Sequence, residues 1–385
     1  VAKVRKRARK PAWKSAKPSV KRSARPSPNR EKDPAGTLVR PEKLRPLIAG
    51  LIRAAGAPAA DAETVAEILV EADLRGVESH GSTRVAGYLS MIRLGLLNPR
   101  PKVEVLRETG STAMLEGGNA FGMVVAKRAM ELALDKAARA GIACVTARNV
   151  THTGMVGFYP MMAARRGFIG LSCNNGPTIL PPFGGTTPTL ATNPFSAAFP
   201  AGGEEPIVLD MATSVVAGGK LRLAAKKGLP IPESWALDRR GIPTTDPREA
   251  IFHGFLQWAG GYKGFGLATV VEALSGVLSG GLFGRDVPAM KTFGKEPLVT
   301  SAFYMAINPE CFMPLEEFRS RVDRLIRHIR SSDKAPGVKQ VYVAGEIEFR
   351  KRAQRLAEGI PVSAVVHAEL RSLAGQYGVP FDLGG

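Results

Sequence analysis

Thr112-Ala113-Met114-Leu115-Glu116-Gly117-Gly118-Asn119-Ala120-Phe121-Gly122, then Met123 to Arg139, then Ile142-Ala143-Cys144-Val145-Thr146-Ala147, is the stretch that sets the fold class. Thr112 to Leu115 reads as a short strand, Gly117 to Gly122 as a turn, Met123 to Arg139 as a helix, and Ile142 to Ala147 as a buried strand. The alternation continues with a helix near Phe158–Arg166 and strands at Ile169–Cys173, Phe195–Phe199 and Ile207–Asp210, which makes the centre an α/β domain. No G-x-G-x-x-G opens a helix after a strand, so the Rossmann fingerprint is absent. Neither a P-loop nor a G-x-S-x-G elbow occurs.

Outward from this centre the pattern turns helical. Leu44, Leu47, Ile48 and Leu51, then Ala62, Val65, Ile68, Leu69 and Ala72, predict two helices broken at Gly56-Ala57-Pro58, with Asp61 as an N-cap. A third helix is expected from Ser82 to Leu94, closed by Gly95. Beyond a strand-like Thr300–Ile307, Leu315–Ile329 and Glu348–Leu373 are helical, the latter interrupted at Gly359-Ile360-Pro361. Gly264 to Gly284, with Leu267, Val270, Val271, Leu274, Val277 and Leu278, reads as a buried helix rather than a membrane span. The expected organisation is a disordered basic tail at 1–36, a discontinuous helical, substrate-side domain at 37–115 and 290–385, and a cofactor-binding α/β domain at 116–289.

The formal net charge of +19 resembles a nucleic-acid signature, but residues 1–36 hold 13 Lys and Arg against two acids, or +11, which leaves +8 for the rest. That tail is rich in Pro, Ser and Lys with a single aromatic, Trp13, too little apolar surface to offset chain entropy and no set of aromatics for base stacking. It is expected to be dispensable, with a non-AUG start of the folded part near Leu38 or Val39. Non-specific binding of nucleic acid by the tail is the alternative of a different class. Cys144, Cys173 and Cys311 are far apart without a CxxC pair, which fits a reducing cytoplasm and argues against structural zinc. The five histidines show no metal-ligand spacing, so no metal is expected.

The chemistry concentrates between Arg75 and Pro99. His80 and Arg84 are four apart, so on a helix both project from one face. A proton acceptor beside a fork that clamps a carboxylate suits oxidation of a 2-hydroxy acid. The alternative is a helix start capped by Ser79 with Arg84 in solvent. Ser79 and His80, being adjacent, point apart in regular structure, which argues against a hydrolase dyad. His152 follows a strand in Asn149-Val150-Thr151-His152-Thr153-Gly154, where α/β sites gather, or is a surface loop histidine. Asn174-Asn175-Gly176-Pro177 and Thr192-Asn193-Pro194 supply turns with free backbone donors. Asp210-Met211-Ala212-Thr213-Ser214 is expected to close a strand and open a helix that favours phosphate. Gly260-Gly261-Tyr262-Lys263-Gly264 precedes another helix and suits close approach of a pyrophosphate or a carboxylate.

Leu74-Arg75-Gly76-Val77-Glu78-Ser79-His80-Gly81 with Arg84, His152-Thr153-Gly154, Pro182-Phe183-Gly184-Gly185 followed by Ala191-Thr192-Asn193-Pro194, Leu209–Ser214, Lys220 with Arg222–Gly228, Pro243–Pro247 and Gly261–Gly264 together resemble the malate/L-lactate dehydrogenase family. This family is unrelated to the Rossmann-type lactate and malate dehydrogenases. It includes ureidoglycolate, sulfolactate and diketogulonate oxidoreductases and a piperideine-2-carboxylate reductase. The resemblance implies a homodimer, a non-Rossmann nicotinamide-binding domain, NAD or NADP as cofactor, and a small (2S)-2-hydroxy acid or its 2-keto acid as substrate. It implies His80 as acid/base oriented by Ser79, Arg84 on the substrate carboxylate, Thr192 bordering the substrate, and His152 near the nicotinamide as a second candidate base. Asp210, Met211 and Ala212, with Gly176, Lys263 and Gly264, match cofactor-binding positions. Lys220 resembles the hydroxy-acid branch more than the cyclic ketimine reductases. Phe255-Leu256-Gln257-Trp258-Ala259 and Arg285–Thr300 depart from the family pattern.

Overall fold

The computed structural model describes residues 36–288 and 295–383. The basic tail, and the expectation attached to it, lie outside the described residues. In chain order the elements are β1 (Thr37–Val39), α1 (Pro41–Ala54), α2 (Ala59–Leu74), α3 (Val85–Arg93), β2 (Glu104–Glu108), β3 (Thr112–Ala120), α4 (Gly122–Ala140), β4 (Ile142–Val150), α5 (Phe158–Arg165), β5 (Ile169–Asn174), β6 (Phe195–Phe199) and β7 (Ile207–Met211). There follow α6 (Gly218–Lys227), β8 (Ala236–Leu237), α7 (Pro247–Phe252), β9 (Phe255–Leu256), α8 (Tyr262–Glu272), β10 (Thr300–Ile307), α9 (Leu315–Arg330), α10 (Glu346–Glu358), β11 (Ile360–Val362) and α11 (Ala364–Tyr377).

Seven strands form one mixed sheet in the order β2-β3-β4-β10-β5-β6-β7. Only β3 and β4 run parallel, joined by α4, and the other neighbours are antiparallel. A parallel pair needs a crossover, and the apolar face of α4 (Val125, Ala126, Ala129, Met130, Ala133, Leu134) buries against the sheet. The fold is therefore α/β without the Rossmann arrangement. The expected turn at Gly117–Gly122 is instead strand: β3 runs on to Ala120, and the left-handed Gly118 and Asn119 (φ 59° and 60°) make an irregularity before β3 and β4 rejoin at Ala120 and Val150.

Two features depart from the expected domain boundaries. β3 crosses residues 115 and 116, and Thr300–Ile307, expected with the C-terminal helices, is the central strand β10 between β4 and β5. One apolar core runs from Leu44, Ile48 and Leu51 of α1 through Ile68 and Leu69 of α2 to Val145 of β4 and Tyr304 of β10, and takes in Leu370 of α11. A smaller core gathers Leu180, Leu190, Leu221, Ile231, Leu256 and Trp258. The departing segment Phe255–Ala259 belongs to it: β9 pairs with β8, and the Trp258 indole N–H donates to the Pro181 carbonyl at 2.9 Å. Gly264–Gly284 is helical only in part, an α-helix to Glu272 and then a π-turn over Ala273–Val277. It is buried on one side only, since Val270, Val277 and Leu278 are each more than half exposed.

Candidate functional site

The turn after α2 is the first wall of the site. Gly76 takes a left-handed φ of 74°, and the chain then makes two short 3-10 turns, Glu78–His80 and Ser82–Arg84, separated by the extended Gly81. The expected helix from Ser82 thus becomes an α-helix only at Val85. In this tight turn adjacent side chains no longer diverge: Ser79 Oγ lies 2.8 Å from His80 Nδ1, contrary to the rule for regular structure. The Arg84 Nε–H donates to the Ser79 carbonyl at 2.6 Å. Among the described residues no carboxylate forms an ion pair with Arg84.

α3 and the loop after β4 supply the second wall. Tyr88, one helical turn beyond Arg84, places its hydroxyl 2.7 Å from His152 Nδ1, which also accepts the Gly154 N–H at 3.3 Å. A backbone N–H is an obligate donor, so His152 Nδ1 carries no proton, the Tyr88 hydroxyl donates to it, and the ring hydrogen sits on Nε2. The rings of His80 and His152 stack with centroids 5.2 Å apart and an interplanar angle of 26°. Burial, then the Arg84 charge, pulls His80 down to about 4; burial, then the neighbouring His80 and Arg84, holds His152 well below the usual imidazole value. Both imidazoles are therefore neutral at pH 7.

These groups face a cavity of about 700 Å³. Ser79, His80, Arg84, His152, Gly176, Thr192, Asp210, Met211 and Ala212 all line it, as does Tyr88, which the sequence reading missed. Its spacing, four residues after Arg84 and eight after His80, puts it near the same helical side but gives no sign of the His152 it meets. Asp210 opens onto the cavity yet is walled by protein, which pushes its carboxyl up to about 6 even though it accepts the Gly157 N–H at 2.9 Å; Glu348, on the same cavity, pushes the same way.

The structure does not bring every expected residue to this cavity. Lys263 is exposed and Gly264 is buried within α8, and neither lines it. Gly264 serves close packing, because a Cβ there would lie 2.4 Å from the Ala259 carbonyl oxygen and 2.8 Å from that of Thr213. No helix opens at Asp210–Ser214 either: the Thr213 N–H donates to the Thr192 carbonyl, the Thr213 carbonyl accepts the Ala259 N–H, and α6 begins only at Gly218. It is Ala217, Gly218, Gly219 and Arg222 that reach the cavity. Lys220 lies 5.7 Å above the Trp235 ring and does not line the cavity.

Glu272, also missed, ties two lining loops together. Its buried carboxylate accepts from Asn175 Nδ2 (3.1 Å), Asn193 Nδ2 (2.7 Å) and the Gly284 N–H (2.8 Å), so the loops that carry Gly176 and Thr192 hang from one acid.

Residues 39–371 match the family described as malate/L-lactate dehydrogenase. The chain belongs to the malate/L-lactate dehydrogenase family. It is 40% identical over 345 residues to a malate dehydrogenase of Pyrococcus abyssi (88% of this chain, 94% of that one) and 36% identical to an L-sulfolactate dehydrogenase of Methanocaldococcus jannaschii (90% and 98%). It is 39% identical to a ureidoglycolate dehydrogenase (NAD(+)) of Escherichia coli (83% and 91%). Among solved structures, a malate dehydrogenase from Entamoeba histolytica aligns with a TM-score of 0.86 at 31% identity, covering 90% of this chain and 99% of that one. A delta1-piperideine-2-carboxylate reductase from Pseudomonas syringae aligns with a TM-score of 0.78 at 29% identity, covering 88% and 99%. The chain is thus a hydroxy-acid dehydrogenase by family, and among its described residues no helix is long and apolar enough to cross a membrane.

Proposed function

We propose that this enzyme interconverts a small (2S)-2-hydroxy acid, malate- or lactate-like, and its 2-keto acid with a nicotinamide dinucleotide, NAD or NADP. One observation carries the reading: Arg84, which no carboxylate among the described residues pairs, stands beside two stacked imidazoles on one cavity. A guanidinium and two rings held neutral by burial form a seat for an anion that also offers a proton acceptor.

The cavity and its donors fit a dinucleotide. Its volume is in the range of cofactor sites, Gly218 and Gly219 present backbone N–H groups at the start of ten-residue α6, Arg222 adds a cation, and Asp210 offers carboxylate oxygens to ribose hydroxyls. When bound, the nicotinamide supplies the hydride acceptor.

The chain's own groups handle the proton and the carboxylate. In the tautomer whose Nδ1–H donates to Ser79 Oγ, His80 has an unprotonated Nε2 for the substrate hydroxyl and takes the proton there as hydride leaves C2. His152, whose proton sits on Nε2, acts as a hydrogen-bond donor to the substrate oxygen instead of a base. Arg84 grips the carboxylate, and its arrival offsets the Arg84 charge and raises the affinity of His80 for the proton it must take. Thr192 borders the substrate.

A second reading, NADPH-dependent reduction of a cyclic ketimine such as piperideine-2-carboxylate, draws on the structural likeness to the Pseudomonas reductase. A panel of 2-keto acids and cyclic imino acids with NADH and NADPH, followed by nicotinamide absorbance, separates the two. Turnover of imino acids alone overturns the hydroxy-acid reading.

Val270, Val277, Leu278 and Phe283 are exposed apolar residues, and we propose that a homodimer covers them and works in the cytoplasm, with no membrane or specific nucleic-acid partner.

A further inference from the structure

Three residues, Gly81, Ser82 and Thr83, separate His80 and Arg84, and their backbone decides how the two side chains face the substrate. Gly81 is extended (φ −100°, ψ −147°), so no continuous helical ladder fixes this joint. Instead the Ser82 N–H donates to the Asp73 carboxylate at 2.8 Å. Asp73 belongs to the last turn of α2 and is 2% exposed. Its carboxylate rests directly on Gly81: a Cβ there would fall 1.8 Å from Asp73 Oδ1. Arg355 of α10 donates to the Asp73 carbonyl and to the Glu78 carboxylate, which ties the end of α2 to the start of the first 3-10 turn. Asp73 does not line the cavity, so whatever it does for the reaction it does through the turn.

We propose that Asp73 is the positioning residue of the substrate turn: its carboxylate holds the Gly81–Ser82 backbone and thereby sets the spacing of His80 and Arg84. Burial pushes its carboxyl up to about 6, against the lowering by the Ser82 bond, so it remains mostly ionised at neutral pH and that bond is charge-assisted. A natural comparison exists in Asp323, whose carboxylate accepts the N–H groups of Gly202, Gly203 and Glu204, none of which lines the cavity. Both acids cap backbone, but only one caps the turn that carries the reacting groups. The proposal rests on the reading of His80 and Arg84 as the hydroxy-acid site.

The test compares Asp73→Ala, Asp73→Asn and Asp323→Asn in the full chain. Steady-state kcat and KM for a 2-keto acid with NADH are read beside NADH affinity by fluorescence, thermal stability, and amide hydrogen exchange at Ser82. A misplacement of about 1 Å costs on the order of 10²-fold in rate. Asp73→Ala is therefore expected to lose about 10²-fold in kcat and to raise KM, with NADH affinity within about twofold and faster exchange at Ser82. Asp73→Asn, whose amide oxygen still accepts the N–H, recovers part of the loss. Asp323→Asn loses stability but keeps kcat. Should Asp73→Ala fail to fold, Asp73→Asn against Asp323→Asn at equal loss of Tm decides. The proposal is overturned by kcat near the wild-type value in folded Asp73→Ala, by unchanged Ser82 exchange, or by equal losses of kcat in the two Asn variants. A wild-type chain inactive on every keto acid overturns the reading of the site instead, and the brace is then judged by Ser82 exchange alone.

Discussion

Burial keeps the His80 and His152 imidazoles neutral, and that makes their protonation depend on what occupies the cavity. With burial and Arg84 holding His80 at about 4, its ring is neutral through the physiological range in the free enzyme. A carboxylate seated on Arg84 cancels the second of those causes. The His80 imidazole resonance is therefore expected to titrate near pH 4 in the free protein and at a higher pH with oxalate bound. An NMR pH titration checks this, and a free-enzyme midpoint at the ordinary histidine value would remove the electrostatic account. His80→Ala should lower kcat by about 10²–10⁴. An unchanged kcat in that variant would pass the proton to His152. Arg84→Lys keeps the charge but loses the planar fork, so KM for the carboxylate substrate should rise while affinity for the cofactor holds; steady-state kinetics with a dinucleotide titration read both.

At the scale of elements, α8 shows how one glycine can be fixed by packing and its neighbour free. At Gly264 a Cβ would strike backbone oxygens of Ala259 and Thr213, which cannot swing aside, whereas at Gly266 it would meet nothing within 4 Å. Gly264→Ala is expected to destabilise by about 1–3 kcal/mol, and Gly266→Ala to stabilise by up to about 1 kcal/mol. Denaturant unfolding of the two variants checks both signs. Such elements also mark what the sequence makes legible. β4, β6 and α4 carry burial patterns that local spacing encodes, and their expected positions agree with the structure to within a few residues. Three things were not legible. The brace of Asp73 on Ser82 is a contact nine residues long, so a turn with helical spacing read as helix. The insertion of Thr300–Ile307 between β4 and β5 is a pairing over more than 100 residues, with no local trace. Tyr88 and Glu272 look like ordinary helical residues until the fold brings His152 to one and the two asparagine loops to the other.

Across the whole molecule, the site is bought with stability, and pH exposes the cost. Asp210, ordinarily at 3.8, is raised to about 6 in the fold, so its neutral form is the one the folded state favours. Its contribution is fully present below the unfolded value and is lost as pH rises through about 6. His80, depressed from 6.5 to about 4, acts in the opposite sense: its contribution is present above the unfolded value and is lost as pH falls through about 4. Between these limits the two oppose each other, so the wild-type stability curve should be flatter there than either group alone would make it. Asp210→Asn keeps an oxygen for the Gly157 N–H and removes only the charge. It should therefore match the wild type near pH 4 and exceed it at pH 7–8 by on the order of 1 kcal/mol, a figure kept small because the carboxylate faces the cavity and is partly screened. Thermal unfolding of both proteins across this range measures the gap. A gap that narrows with rising pH, or none at all, would mean that Asp210 ionises in the fold as freely as in water.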